Sequence, residues 1–178
     1  MISTQSYIRR RQQLTQQMQS GVVIIPGSMP SPNSYPNNCY PFRQDSSFRY
    51  LFGANIPSLV GVVDIDSWGR SQSSLYGDDT TIDDVIWSGD RVTVAQLADE
   101  SGVDSYGSVA DLRKLVELAL RQRRQIHILP PYRAETKLQL MELLGCQREV
   151  DLQGYISPKL ALVVSALREI KDSDEIAE

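Results

Sequence analysis

Apolar positions recur along this chain with two periods, and the switches between them outline a fold. From Ser3 to Ser20, Tyr7, Arg11, Leu14 and Met18 fall at i, i+4, i+7 and i+11. This narrow seam predicts a helix laid against a core, and Gly21 is its natural stop. Val22 to Ile25 is a β-branched run closed by Pro26-Gly27, the pattern of a strand buried on both faces. Leu59–Ile65 and Ser71–Tyr76 flank the turn-like residues 66–70, which predicts an antiparallel hairpin. Thr81–Trp87, Val94–Glu100, Val109–Arg121 and Arg133–Leu144 read as helices. In the third, Val109, Leu112, Leu115, Val116 and Ala119 share one face, and Ser108 with Asp111 stands at capping-box spacing. Ile126 to Leu129 is a short strand stopped by Pro130-Pro131. After Pro158, Leu160, Val163, Val164, Leu167 and Ile170 mark a last amphipathic helix.

This order describes an α/β domain with a mixed β-sheet, in which the antiparallel hairpin excludes a purely parallel arrangement and helices flank the sheet. Residues 28–41 hold four prolines (30, 32, 36, 41) and three asparagines (33, 37, 38). Proline lacks the ladder donor and fixes φ, so a Pro/Asn loop without helix or strand is expected there.

Composition narrows the class without naming an activity. At 178 residues, 41% hydrophobic and 22% charged, the chain suits one soluble domain or a domain with an appendage. Eighteen Lys and Arg face 22 Asp and Glu, and four of the acids lie in the last seven residues. The remaining body is neutral and lacks the basic footprint of a nucleic-acid binder. No apolar run approaches the ~20 residues needed to span a bilayer, and the opening has no secretory apolar region. A cytoplasmic protein with neither a membrane nor a nucleic acid as partner is expected. Arg9-Arg10-Arg11 reads as the solvated face of the first helix rather than an anion site.

The catalytic inventory is thin. His127, the one histidine, cannot supply a His₂ or His₃ zinc set and sits between two isoleucines as a core or edge side chain. HExxH, GxSxG, GxxxxGK[ST] and GxGxxG are missing. Asp78, Asp79, Asp83, Asp84 and Asp90 lack calcium-loop spacing and read as complements to a helix start, with Thr80 or Thr81 as its cap. Cys39 and Cys146 stand far apart in no metal-binding spacing and read as two reduced thiols.

The end of the chain predicts organisation. Asp172 and Glu175 have the spacing of an N-cap and its N3 partner, with only a few residues after them. A helix is being started, so the natural chain is expected to continue. The expected division is an N-terminal α/β domain over 1–157, with 158–178 a linker helix and the start of a further domain.

Four segments carry a resemblance. Residues 40–53, Tyr-Pro-Phe-Arg-Gln-Asp-Ser-Ser-Phe-Arg-Tyr-Leu-Phe-Gly, run into Pro57 and Leu59–Val63; 83–91 contain a W-x-G-x-R run at Trp87; 167–176 read Leu-Arg-Glu-Ile-Lys-Asp-Ser-Asp-Glu-Ile; and Arg9 to Met18 opens the series. In this order they resemble the N-terminal domain of aminopeptidase P and related Xaa-Pro dipeptidase-type metallopeptidases, the creatinase-type N-domain. One departure is Leu51-Phe52-Gly53, which lacks the common Thr before Gly.

The resemblance implies that hydrolysis belongs to a following pita-bread domain. There, two divalent metal ions of the Mn or Zn type would be held by two Asp, one His and two Glu. The parent would cleave the bond before proline in a proline-containing peptide, with its own C-terminal catalytic domain and further copies of itself as partners. No metal ligand or catalytic residue is assigned within 1–178. For this domain the resemblance implies covering the cleft, limiting peptide length and building a homo-oligomer. Trp87 is the one substrate-binding candidate, its indole a wall against proline in a neighbouring subunit's cleft; the alternative is that it packs its own helix onto the sheet. Phe42, Phe48, Tyr50 and Phe52 are expected in the core, and Arg43 against a local carboxylate or carbonyl. A rival reading is a non-catalytic peptide- or protein-binding module of a relative that has lost its metal ligands.

Overall fold

A computed structural model describes residues 3–80, 92–171 and 175–176. The first helix, α1 (Thr4–Met18), leads into β1 (Gly21–Pro26), followed by β2 (Pro32–Asn33), β3 (Tyr35–Cys39) and α2 (Ser46–Phe52). The hairpin strands β4 (Val60–Ile65) and β5 (Ser71–Tyr76) come next, then α3 (Val94–Ser101), β6 (Ser105–Gly107), α4 (Val109–Arg121) and β7 (Ile126–Ile128). The chain ends with α5 (Ala134–Leu144), a 3₁₀ turn at Glu149–Gly154, and α6 (Pro158–Glu169).

Five strands form one sheet in the order β6-β5-β4-β1-β7. The expected hairpin is present: β4 pairs antiparallel with β5 from Val60 opposite Tyr76 to Ile65 opposite Ser71, and with β1 on its other side. β7 and β6 add parallel strands at the two edges, so the sheet is mixed as anticipated.

The two-residue repeat of a strand sends neighbouring side chains to opposite faces. Val23 and Ile25 join Leu14, Phe48, Val63 and Leu160 in one core, whereas Val22 and Ile24 join Val62, Leu112, Val116 and Leu140 in the other. Helices cover both faces, which is why β1 reads as an unbroken apolar run instead of an alternating one. On α4 the predicted face packs inward through Leu112, Val116 and Ala119. Its capping box also forms: Ser108 Oγ donates to the Asp111 carboxylate at 2.7 Å, and the Asp111 N–H donates to Ser108 Oγ at 3.2 Å. The bond from Ser108 Oγ, that from Lys114 and that from the Ser108 N–H (3.2 Å), all to the carboxylate, lower the Asp111 pKa to about 2. Asp79 and Asp78 accept from the first N–H groups of α3 and α4, at Val94 (2.6 Å) and Val109 (3.0 Å).

Two expectations are corrected. The Pro/Asn segment is not free of strand: β2 and β3 pair antiparallel, with Pro32 opposite Cys39. A two-stranded ribbon is all edge, so a proline's missing donor can face outward without breaking a ladder. Arg10 and Arg11 are not solvated; they are 2% and 4% exposed, for reasons given below. In α6, Leu160 and Val164 lie in the same core as Leu14 and Met18 of α1.

Helix α2 escaped the periodicity reading because seven residues are too few to show a period. The proposed helix Thr81–Trp87, Asp83, Asp84, Asp90 and the cap at Asp172 lie outside the described residues. No helix among the described residues is long and apolar enough to cross a membrane.

Candidate functional site

The segment 42–53 is tied to several separate stretches of the chain. Asp45 caps α2, its carboxylate accepting from the N–H groups of Ser47 and Phe48, both at 2.9 Å. Gln44 is buried, and its amide joins three stretches of chain. Oε1 accepts from the Ser28 N–H (2.6 Å) and the Asp45 N–H (2.9 Å), while Nε2 donates to the Ile56 carbonyl (2.8 Å). Phe48 and Phe52 stack in the core with ring centroids 5.4 Å apart, as expected of them. Tyr50 and Phe42 are only half-buried, and the Tyr50 hydroxyl donates to the Leu167 carbonyl of α6 at 2.6 Å. Gly53 ends α2 at φ +76°; a Cβ there would meet the Tyr7 ring at 2.4 Å, so both backbone and space require glycine.

The two buried arginines explain how α2 is held. Arg11 donates to the carbonyl of Leu51 at 2.7 Å, and to those of Ser101 and Gly102 at 2.8 and 2.5 Å. One guanidinium thus satisfies the carboxyl ends of both α2 and α3, where unpaired carbonyls and the negative ends of two helix dipoles converge. Burial lowers its pKa to about 10, opposed by Asp104, and leaves it a cation at neutral pH. Arg10 donates to the Tyr50 carbonyl at 2.9 Å, with its guanidinium 4.2 Å from the Tyr50 ring centroid and 5.5 Å from that of Tyr7. Its Nη2 pairs with Glu175 at 3.1 Å, so the last described turn of chain closes onto this buried charge.

Arg43 behaves differently from its expectation. It is exposed and makes no hydrogen bond or ion pair among the described residues. It lines a cleft of about 200 Å³ beyond the carboxyl ends of β1 and β7, between the starts of α2 and α5.

The other sequence candidates are dispersed. His127 lies opposite Val23 in the register of β7 and β1, 5% exposed, and burial holds its pKa below the ordinary imidazole value. Among the described residues no three His, Cys, Asp or Glu gather to hold an ion. Cys39 and Cys146 are not joined to each other. Trp87 lies outside the described residues.

Comparison with known proteins adds what geometry alone does not. Residues 7–129 match the family described as the aminopeptidase P N-terminal domain. This chain belongs to that family. A Xaa-Pro aminopeptidase from Escherichia coli K12 is 26% identical over 99% of this chain and 41% of its own length. A probable Xaa-Pro aminopeptidase from Talaromyces stipitatus is 28% identical over 76% of this chain and 25% of its own. Among solved structures, E. coli aminopeptidase P with the inhibitor Pro-Leu superimposes with a TM-score of 0.78 at 26% identity, again over 99% of this chain and 41% of that one. A zinc-substituted form of that enzyme in complex with product gives 0.76 at the same identity and coverage. The chain therefore spans less than half the length of the relatives it matches. The aminopeptidase P N-terminal fold accounts for the mixed sheet.

Proposed function

We propose that this chain is the non-catalytic N-terminal domain of a metal-dependent Xaa-Pro peptidase, and that it shapes substrate access and oligomer assembly. The observation that carries this reading is the match to an N-terminal domain family together with the 41% share of a Xaa-Pro aminopeptidase that the chain spans. On this reading a following domain binds two divalent ions of the Mn or Zn type and hydrolyses the bond before proline. The parent is a cytoplasmic homo-oligomer. Residues 158–178 lead the chain onward, with the Arg10–Glu175 pair fixing where it leaves the domain. Trp87 contributes an indole wall to the proline-binding cleft of a neighbouring subunit.

The test compares the parent enzyme and the isolated 178-residue chain on a Xaa-Pro peptide, with and without a chelator. Hydrolysis by the parent alone, lost on chelation, is the expected result; chelator-sensitive cleavage by the isolated chain would overturn it. A Trp87→Ala parent should show a raised KM for proline peptides, and unchanged kinetics would remove Trp87 from the site.

A further inference from the structure

The cleft beyond β1 and β7 contains polar groups that neither the fold nor the proposed hydrolysis uses. It opens at the carboxyl ends of two parallel strands, where open α/β sheets place ligands. Arg43 and Arg133 both line it, both are exposed, and the guanidinium of each has no hydrogen-bond or ion-pair partner among the described residues. Arg133 is also the N-cap position of α5, an 11-residue helix that no side chain caps. The first-turn N–H groups of α5 are thus left for water or a ligand, and Thr136 of that turn lines the cleft.

A second and independent feature lies on the opposite wall. Ser28 and Ser47 are only 4% and 8% exposed, and both line the cleft. Their hydroxyls make no hydrogen bond with any described residue and are open to the cleft that both residues line. The Ser28 backbone is already engaged, its N–H with Gln44 and its carbonyl with the Ser58 N–H, which leaves the hydroxyl as its free polar group. Of the nearby acids, Asp45 has its carboxylate turned to the N–H groups of α2, and Glu135 is exposed on the first turn of α5.

We infer that this cleft binds a small oxyanion, the carboxylate or phosphate group of a compact ligand. Arg43 and Arg133 supply its countercharge, and the Ser28 and Ser47 hydroxyls and the α5 amides supply its hydrogen bonds. A guanidinium presents paired N–H groups that match two oxygens of a carboxylate or phosphate, and a helix amino end favours the same charge. Pro130, Pro131 and Tyr132 close one side with apolar surface, so the ligand carries a small apolar body beside its anionic head. The volume of about 200 Å³ limits that body to a few heavy atoms. No step of peptide hydrolysis depends on this site, so it stands or falls apart from the proposed function.

The test is a titration of the folded chain, followed by amide NMR, with inorganic phosphate and separately with acetate, against chloride at matched ionic strength. Saturable shifts centred on amides 134–136 and on Ser28 and Ser47 are expected with one anion or both, and the tighter of the two identifies the head group. Arg43→Gln and Arg133→Gln should each weaken binding about tenfold, the size of one lost charge-assisted contact. Ser28→Ala should weaken it with the melting temperature unchanged. Shifts that do not saturate, that chloride reproduces, or that survive the double Arg43→Gln/Arg133→Gln replacement would overturn the proposal.

Discussion

Replacing Arg11 with methionine isolates one buried guanidinium that serves the ends of two helices. Methionine keeps most of the unbranched stem but removes every donor, together with the guanidinium that lies 5.4 Å from the Phe52 ring centroid. Three carbonyls, at Leu51, Ser101 and Gly102, then lose bonds of 2.5–2.8 Å. A buried acceptor stripped of its partner costs about 1–3 kcal/mol. Water can rehydrate the half-buried Gly102 carbonyl, and the variant no longer desolvates a cation, which offsets part of that loss. The expected net cost is about 3–5 kcal/mol, the range for removing one partner of a buried charge network. Set against the ~5–15 kcal/mol that holds a domain of ordinary stability together, this is a large fraction. Urea unfolding followed by far-UV circular dichroism should show the midpoint falling by about 1–2.5 M at an unchanged slope. Arg11→Lys should recover less than half, because a compact ammonium cannot serve the ends of α2 and α3 together as a planar fork does. A methionine variant within about 1 kcal/mol of the parent chain would refute the reasoning, since the three carbonyls would then have other partners.

Two further outcomes test the packing and the pH dependence. Gly61→Ala places a methyl 2.2 Å from the Phe52 ring, so the variant should lose about 1–3 kcal/mol or more by urea unfolding, and a second change, Phe52→Leu, should restore part of it. His127 is held neutral by burial, with its folded pKa below 6.5, so the unfolded chain takes up the proton first as pH falls. Stability should therefore decline below about pH 6.5, and His127→Gln should flatten that decline when melting temperatures are compared between about pH 7.5 and about pH 5; an identical slope in the variant would show that the imidazole does not contribute.

Much of the framework could be read from local pattern because its causes are local. The boundaries of α4 follow from one apolar face and one capping box, both contained within the helix and its cap. The hairpin β4–β5 follows from alternation about a turn, and the two-sided burial of β1 from an unbroken β-branched run. The motif 40–53 disclosed kinship, but its sequence did not say what it does. In the fold it is largely a joint, with Gln44, Asp45 and Gly53 each tied to backbone.

What the one-dimensional pattern determined was therefore the class of fold, most element positions and the family. What only the tertiary structure decided was the fate of the charges. Arg11 looks like part of a solvated triplet until carbonyls 40 and 90 residues away come to its guanidinium, and Arg43 looks paired until its surroundings prove to be a cleft. The physical reason is that apolar burial follows a period along one element, whereas a cation's partners here are backbone oxygens. Every residue type carries such an oxygen, so no arrangement of letters marks which of them will be left unpaired at a helix end.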